Sequence, residues 1–162
     1  MKALAGRQVS RNVVKMNQRA QAAKKSRARP LTRSETMARV RSCDTTPERK
    51  VRQVLTKLGY RYRLHRKDLP GNPDIAFIGR RKAIFVHGCF WHGHDCKRGA
   101  RTPKENADYW MAKIARNRLR DETVRGRLTT DGWGILTVWE CELRDPPRLA
   151  IRLKDWLELA PG

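Results

Sequence analysis

Residues 83–96 of the chain read AIFVHGCFWHGHDC, an apolar run that passes directly into a cluster of histidine and cysteine. The apolar part, Ala83 to His87, predicts a short β-strand, and residues 88–104 predict an irregular loop rich in Gly, His and Cys. Thiolate and imidazole groups together favour zinc, which is four-coordinate and closed in structural sites. The sequence therefore predicts a structural zinc site with the ligands Cys89, His94, Cys96 and Cys141. Because the spacing differs from that of standard zinc motifs, buried free thiols with surface histidines are the alternative.

The sequence on either side of this stretch predicts alternating helices and strands. Thr46-Pro47-Glu48 predicts a helix start with Thr46 as N-cap, and Gly59 predicts its end. Gly79-Arg80-Arg81 between two apolar runs predicts a hairpin. In chain order we expect a helix over 46–59, strands over 60–65, 74–78 and 83–87, a helix over 106–130, a strand over 133–139 and a helix over 149–159. This order is typical of an α/β protein in which helices flank a mixed sheet.

Asp74 is placed where a divalent cation could bind. It stands at the start of one predicted strand and faces the end of its hairpin partner. Mg²⁺ prefers oxygen ligands and keeps several waters, so one carboxylate and a backbone carbonyl can hold it. The alternative is a turn aspartate that caps the backbone, which is the more frequent case.

Two histidines, His87 and His92, are left over once His94 is assigned to zinc. A neutral histidine beside a metal-bound phosphate can take a proton from water, and it needs a partner that orients the ring. Asp121 is the candidate partner, on a face of the long predicted helix that helical spacing gives also to Trp110, Lys113 and Asn117. The set predicts a phosphoryl-transfer centre, although each histidine alone is more often structural.

Aromatic residues occur where a folded core does not need them. Phe90 and Trp91 lie in the irregular loop, and Trp110 stands among polar residues of the long helix. Apolar wedges beside basic residues can insert between base pairs and kink DNA. For the remaining tryptophans we expect ordinary core packing: Trp133, Trp139 and Trp156.

The charge of the chain points to a polyanionic partner. Its 162 residues carry 37 Lys and Arg against 16 Asp and Glu, a net charge of +21, which favours nucleic acid over a small metabolite. Residues 1–34 hold ten basic and no acidic residues. We therefore expect residues 1–33 to be a disordered basic arm, either a phosphate-attracting extension or a solvated tail, and residues 34–162 to form one domain. No apolar run or secretory signal indicates a membrane or export, which predicts a cytoplasmic protein.

Taken together, the motifs of residues 34–145 resemble the very short patch repair endonucleases, the Vsr family. The match rests on HGCFWH at 87–92, LPGNPD at 69–74, VWEC at 138–141, TPE at 46–48, MARVRS at 37–42 and the residues Tyr109, Trp110, Lys113, Asn117 and Asp121. The resemblance implies a restriction-endonuclease-like fold with a structural zinc. It also implies a Mg²⁺-dependent nick on the 5′ side of the T in a T·G mismatch, which arises when 5-methylcytosine deaminates.

The resemblance also assigns roles, position by position. It gives metal binding to Asp74 and to the backbone carbonyl of Val86, and the general base and its partner to His92 and Asp121. Supporting active-site positions fall on His87 and Glu48. The zinc ligands match Cys89, His94, Cys96 and Cys141, the aromatic wedge matches Phe90, Trp91 and Trp110, and we expect DNA contacts also from Lys113 and Asn117. Cys43 stands at a position where members of the family usually carry a basic residue, and this difference would weaken one phosphate contact.

The implied partner is double-stranded DNA with a T·G mismatch, cut by a nucleoid-associated monomer because one nick needs one active site. Mismatch-repair proteins and a companion cytosine methyltransferase are further candidate partners.

Two other classes of function stay open. A restriction-type endonuclease of the same fold would cut matched duplex, and a non-catalytic zinc-stabilised DNA-binding module would leave Asp74, His92 and Asp121 without a reason to occur together.

Overall fold

A computed structural model describes residues 43–159, so the arm predicted over residues 1–33 and the motif at 37–42 lie outside the described residues. Within the described range the elements follow the predicted order. They are helix α1 (Thr46–Lys57), strands β1 (Arg63–Leu64), β2 (Ile75–Phe77) and β3 (Lys82–His87), helix α2 (Ala107–Thr130), strand β4 (Gly134–Trp139) and helix α3 (Pro146–Glu158). The mixed sheet flanked by helices confirms the predicted fold class.

The sheet has the order β1-β2-β3-β4, with the first two pairs antiparallel and the last pair parallel. The hairpin between β2 and β3 turns at Arg81, whose φ is 49°. Strands β3 and β4 are joined by a crossover through α2, and they pair in register from Lys82 opposite Gly134 to His87 opposite Trp139. Their carboxyl ends therefore lie side by side. The irregular loop after His87 and the turn that holds Cys141 begin at the same edge of the sheet.

The N-cap of α1 and the start of α3 each lie earlier in the chain than predicted. Thr45, and not Thr46, is the N-cap of α1, because its side chain accepts a hydrogen bond from the Glu48 N–H. Helix α3 begins at Pro146, before the predicted start at residue 149, and Asp145 caps it. Proline suits the first helical turn because that turn does not use its missing N–H. For α3, the prediction began at the first apolar residue, Leu149, which comes after the cap and the prolines that start the helix.

Strand β1 is shorter than the predicted strand over 60–65, since only Arg63–Leu64 pair with β2. Tyr60 and Tyr62 instead place their rings edge-on against Phe77. His65 has a φ of 46°, which takes the backbone out of the extended conformation and ends the strand.

Strands β3 and β4 separate a hydrophobic core from a cleft, because successive side chains of a strand point to opposite faces. On one face, Ile84 and Val138 pack into a core that α1 and α3 complete with Val51, Leu55, Leu149, Leu153 and Leu157. On the other face, the alternate residues line the cleft: Phe85, His87, Thr137 and Trp139. The strand periodicity thus determines which side chains reach the site.

Helix α2 is the longest element, with 24 residues, and only one narrow face of it is buried. Trp110, Ile114 and Leu128 form that face, while most of the charged side chains are exposed. None of the helices within residues 43–159 combines the length and the apolar character needed to cross a lipid bilayer.

Candidate active site

A cleft of about 1390 Å³ lies on the sheet face opposite the core. Its lining comes from the start of α1, the segment between β1 and β2, the ends of β3 and β4, the loop after β3, and α2. The structure brings all the residues predicted for catalysis and magnesium binding into this one cleft: Glu48, Asp74, Val86, His87, His92 and Asp121. Basic side chains line it as well, namely Lys67, Arg118, Arg120 and Arg125. The cleft therefore suits a phosphate-bearing ligand.

Asp74 is held at the start of β2 by a hydrogen bond across the hairpin, in which the Val86 N–H donates to Asp74 Oδ2 over 2.7 Å. Burial raises the pKa of Asp74 to about 6 in spite of this bond, and the negative charge of Glu48 adds to the rise. In extended backbone the N–H and C=O of one residue point to the same neighbouring strand, so the Val86 carbonyl also faces the Asp74 side. A buried carboxylate beside a carbonyl oxygen is a set of ligands that fits a hard cation.

His92 and Asp121 form a direct pair, with His92 Nδ1 at 2.5 Å from Asp121 Oδ2. The His87 ring stacks on the His92 ring with the centroids 3.8 Å apart. Burial, and then the neighbouring His92, lower the pKa of His87 to about 4. His87 is therefore neutral at pH 7, and the only carboxylate bonded to a ring in this group is that of Asp121.

The four residues predicted to bind zinc lie together, with their ligand atoms within 4.8 Å of one another. Cys141 Sγ is 3.6 Å from His94 Nδ1, which ties the turn after β4 to the loop after β3. Burial raises the pKa of Cys89 to about 12, and a hydrogen bond with His94 lowers the pKa of Cys96 to about 6. Both would be thiolates beside a soft cation. The cluster could therefore hold a zinc ion.

Gly99 shows how closely the loop wraps around this cluster. Its N–H donates to the Cys96 carbonyl over 2.9 Å. A Cβ atom at this position would overlap the backbone carbonyl oxygens of His94 and Cys89. Only glycine can bring the two sides of the loop this close, which keeps the cysteine and histidine ligands in one small volume.

The five residues predicted to contact DNA form one group at the start of α2. Phe90, Trp91 and Trp110 meet edge-on, with ring centroids 5.3 to 5.9 Å apart. Lys113 Nζ lies over both tryptophan rings, at 5.5 and 5.6 Å, and Asn117 Nδ2 donates to the Trp91 carbonyl over 2.8 Å. Trp110 itself is only 5% exposed, so it supports the two loop aromatics from below rather than projecting beside them.

Glu48 is almost fully buried at the start of α1, with 3% of its surface exposed. Its carboxylate accepts hydrogen bonds from the N–H groups of Asp44 and Thr45, over 2.9 and 3.3 Å, and pairs with Arg52 over 3.0 Å. Because its oxygens are engaged in this way, Glu48 acts on the cleft through its charge and through the helix start that it anchors.

His65 also lines the cleft, and no sequence pattern indicated it. Its Nε2 atom lies 3.7 Å from Glu48 Oε2 and 3.8 Å from Asp44 Oδ1. The positive φ of this residue and the approach of its ring to α1 depend on tertiary packing, and no local pattern announces them.

The expected core position of Trp139 is wrong. Its ring stacks on that of His94 with centroids 4.3 Å apart and meets His87 edge-on at 5.4 Å. Residue 139 falls on the cleft face of β4, because Val138 takes the core face. Cys43, the position that departs from the family pattern, is exposed and also lines the cleft.

Comparisons with known proteins find similarity to DNA endonucleases. The family model described as DNA mismatch endonuclease Vsr matches residues 27–98. The type II nicking enzyme V.XorIIP of Xanthomonas oryzae pv. oryzae is 51% identical over 132 residues, which cover 82% of this chain and 96% of that protein. The DNA mismatch endonuclease Vsr of Escherichia coli is 37% identical over 131 residues, which cover 78% of this chain and 83% of that protein. Among solved structures, the catalytic domain of the homing endonuclease I-Bth0305I is similar with a TM-score of 0.47 and 22% identity, over 69% of this chain and 93% of that one.

Proposed function

This chain belongs to the Vsr family of DNA endonucleases, and from that premise we propose that it nicks duplex DNA on the 5′ side of the T in a T·G mismatch. One observation carries the proposal. The bonded pair His92–Asp121 lies in the same cleft as the buried carboxylate of Asp74. A module that only bound DNA would have no use for this arrangement, whereas hydrolysis of a phosphodiester needs both a base and a cation.

His92 is the general base of the proposed reaction. Its Nδ1 faces Asp121, so Nε2 is the nitrogen left to take a proton from the attacking water. The Asp121 carboxylate fixes the ring orientation and stabilises the imidazolium that forms. His87 stays neutral at pH 7 because its pKa is lowered to about 4, so it adds no positive charge that would hinder protonation of His92.

Asp74, with the backbone carbonyl of Val86, is the proposed binding site for Mg²⁺. The fit rests on the burial of this carboxylate, which raises its pKa to about 6 and makes a neighbouring cation favourable. When bound, such an ion polarises the scissile phosphate and stabilises the leaving oxygen. The hydrogen bond from the Val86 N–H holds the Asp74 carboxylate in place for this task.

Zinc is the proposed ion of the cluster Cys89, His94, Cys96 and Cys141, and its role there is structural. The four protein ligands leave no open position for water or substrate. They fix the loop that carries both His92 and the aromatic pair Phe90 and Trp91.

Recognition of the mismatch is assigned to Phe90 and Trp91, resting on Trp110. A T·G wobble pair stacks poorly, so a wedge inserts there at lower cost than between matched pairs. Lys113 and Asn117 both contact Trp91, and we assign them contacts with the DNA beside it. Because the proposed active-site residues all come from one chain, a monomer suffices for one nick.

The test is a nicking assay on end-labelled duplexes that carry a T·G mismatch in several sequence contexts or a matched C·G pair. We expect a single Mg²⁺-dependent nick 5′ of the mismatched T, and no nick in Mg²⁺-free buffer. Equal cutting of the matched duplex would replace the proposal by restriction-type cleavage. Binding without any cutting in every context would replace it by a DNA-binding module.

His92→Ala and Asp121→Asn separate catalysis from recognition in the same assay. We expect both to lower kcat by at least about 100-fold and to leave mismatch affinity in Mg²⁺-free buffer close to that of the wild type. Arg66→Gln is the matched control, since Arg66 pairs with Asp68 at the surface and is not among the residues that line the cleft. A His92→Ala enzyme that nicks at the normal rate would remove the general-base assignment.

A further inference from the structure

His65 holds an unusual backbone conformation beside the proposed Mg²⁺ site. Its φ of 46° lies in the left-handed region, which residues other than glycine and asparagine adopt at a cost. Its backbone N–H donates to the Asp74 carbonyl over 3.4 Å. This bond ties the end of β1 to the residue whose carboxylate is the proposed ligand, and it directs the His65 side chain toward the start of α1.

The imidazole of His65 points a buried nitrogen at two carboxylates without bonding either. Its Nε2 atom has no hydrogen-bond partner among the described residues, and it lies 3.7 Å from Glu48 Oε2 and 3.8 Å from Asp44 Oδ1. These distances exceed those of direct hydrogen bonds. They suit a single water molecule that bonds the ring nitrogen and a carboxylate at once.

A second metal ion is a poorer occupant of this gap than water. Arg52 Nη2 lies 2.7 Å from Asp44 Oδ1 and 3.0 Å from Glu48 Oε2. The guanidinium therefore already balances the charge that a cation would need. A neutral ligand is compatible with Arg52, and the buried Nε2 atom of His65 requires a polar partner.

We propose that His65 is a positioning residue for the cation at Asp74, and that its ring nitrogen holds a water of the cation's hydration shell. The inference rests on the proposed function, because it takes the Asp74 site as a Mg²⁺ site. Mg²⁺ gives up its waters reluctantly, so protein groups that bond those waters fix the ion as effectively as a direct ligand does. Loss of such an outer partner characteristically weakens metal affinity by about 10- to 100-fold, and it leaves the ligands themselves in place.

The strained backbone dictates the variants that test the ring alone. His65→Asn and His65→Gly both accept a positive φ, so they remove the imidazole without adding strain. His65→Gln offers an amide oxygen that can accept from the same water at a similar reach, and it serves as the rescue variant. Arg63→Gln, on the exposed side of β1, is the matched control, and Asp74→Asn is the variant that removes the ligand.

Two readouts are needed. The first is binding of Mn²⁺, as a spectroscopic substitute for Mg²⁺, by electron paramagnetic resonance on the zinc-loaded protein bound to a non-cleavable T·G duplex. The second is the Mg²⁺ concentration that half-saturates nicking. We expect His65→Asn and His65→Gly to weaken Mn²⁺ binding and to raise the half-saturating Mg²⁺ concentration about tenfold, with kcat at saturating Mg²⁺ within about twofold of wild type. His65→Gln should recover part of the loss.

The outcomes separate this inference from the proposed function. Wild-type and His65→Asn proteins with equal Mn²⁺ binding and equal Mg²⁺ dependence would overturn the role of His65 and leave the proposed function standing. Loss of kcat at saturating Mg²⁺ with unchanged Mn²⁺ affinity would also overturn it, because it would place His65 in the chemical step. A wild-type complex that neither binds Mn²⁺ nor nicks would overturn both.

Discussion

The carboxylate of Asp74 has conflicting effects on stability and on ion binding. Burial raises its pKa to about 6, above the ordinary value of 3.8. As the pH rises between these two values, the unfolded chain loses this proton while the folded chain keeps it, so the free energy of unfolding falls. Above about pH 6 the folded protein holds a buried carboxylate whose burial cost the Val86 hydrogen bond offsets only in part unless a cation is bound. Sites that must bind ions commonly destabilise the empty protein in this way.

Replacement of Asp74 by asparagine should abolish nicking and make the Mg²⁺-free protein more stable. The amide oxygen of the Asp74→Asn side chain can still accept the Val86 N–H, but no charge is buried. The gain in unfolding free energy should reach at most about 3 kcal/mol at pH 8 and shrink as the pH falls toward 5. Urea denaturation at several pH values in Mg²⁺-free, zinc-containing buffer measures it.

Asp68→Asn is the control for this prediction, because a surface pair with Arg66 lowers the pKa of Asp68 instead of raising it. That variant should show no gain at pH 8. An Asp74→Asn protein that is less stable than wild type at pH 8 would contradict the destabilising effect of the buried carboxylate.

At this scale the sequence predicted residues whose positions follow from local geometry. Helical spacing gave Asn117 and Asp121 a shared face, and the structure places them against Trp91 and His92. The sequence could not predict that His65 lines the cleft. No local pattern indicates that this histidine takes a positive φ, or that its ring meets the start of a helix remote from its own strand.

Lys82 links two secondary-structure elements through the end of α3. Its side chain enters the protein at the start of β3, with only 3% of the residue exposed. Nζ donates to the carbonyls of Trp156, Leu157 and Leu159, over 2.6, 3.2 and 2.6 Å. These carbonyls close the carboxyl end of a helix, where a positive charge is favourable.

Lys82→Met should therefore destabilise the protein by about 2 kcal/mol. The methionine retains the apolar contacts of the lysine stem but removes the Lys82 donor from all three carbonyls, of which only that of Leu157 keeps another side-chain donor, Arg80 Nη1 at 3.1 Å. Nicking by the folded fraction should be unchanged, since Lys82 lies at the end of β3 away from His87. Lys154→Met is the matched control on the exposed side of α3 and should change stability by less than about 0.5 kcal/mol. Equal stabilities for the two variants in urea denaturation would contradict the capping role.

The elements themselves were predicted better than their ends. The alternation of apolar residues gave the order of strands and helices, because burial of one face imposes it. The predicted start of α3 was late because Asp145 and Pro146 carry the signal of a cap and not of an apolar face. The strand predicted over 60–65 was too long because Tyr60 and Tyr62 pack against Phe77 and do not pair with another strand.

On the scale of the whole molecule, the cysteine and histidine cluster connects the residues proposed to recognise DNA to those proposed to cut it. The loop after β3 carries Phe90, Trp91 and His92, and its backbone hydrogen bonds are short-range turns, such as that from the His94 N–H to the Cys89 carbonyl. Cys141, in the turn after β4, is the distant partner that closes the cluster around this loop. From the spacing of the cysteines alone, free thiols remained an alternative to a zinc site. The ends of β3 and β4 lie side by side in the parallel pair, which brings Cys141 within reach of the loop after β3.

Cys141→Ser should therefore lose zinc and disturb the loop as a unit. We expect a zinc content below one ion per chain, a loss of more than about 3 kcal/mol in unfolding free energy, and weaker discrimination between T·G and matched duplexes. Because the core packs on the other face of the sheet, the far-ultraviolet circular dichroism of the cold protein should stay close to that of the wild type. Cys43→Ser is the matched control, since Cys43 is exposed and outside the cluster. Unchanged zinc content and melting temperature in Cys141→Ser would refute the zinc assignment, while zinc loss without loss of mismatch discrimination would refute the link between the cluster and the aromatic wedge.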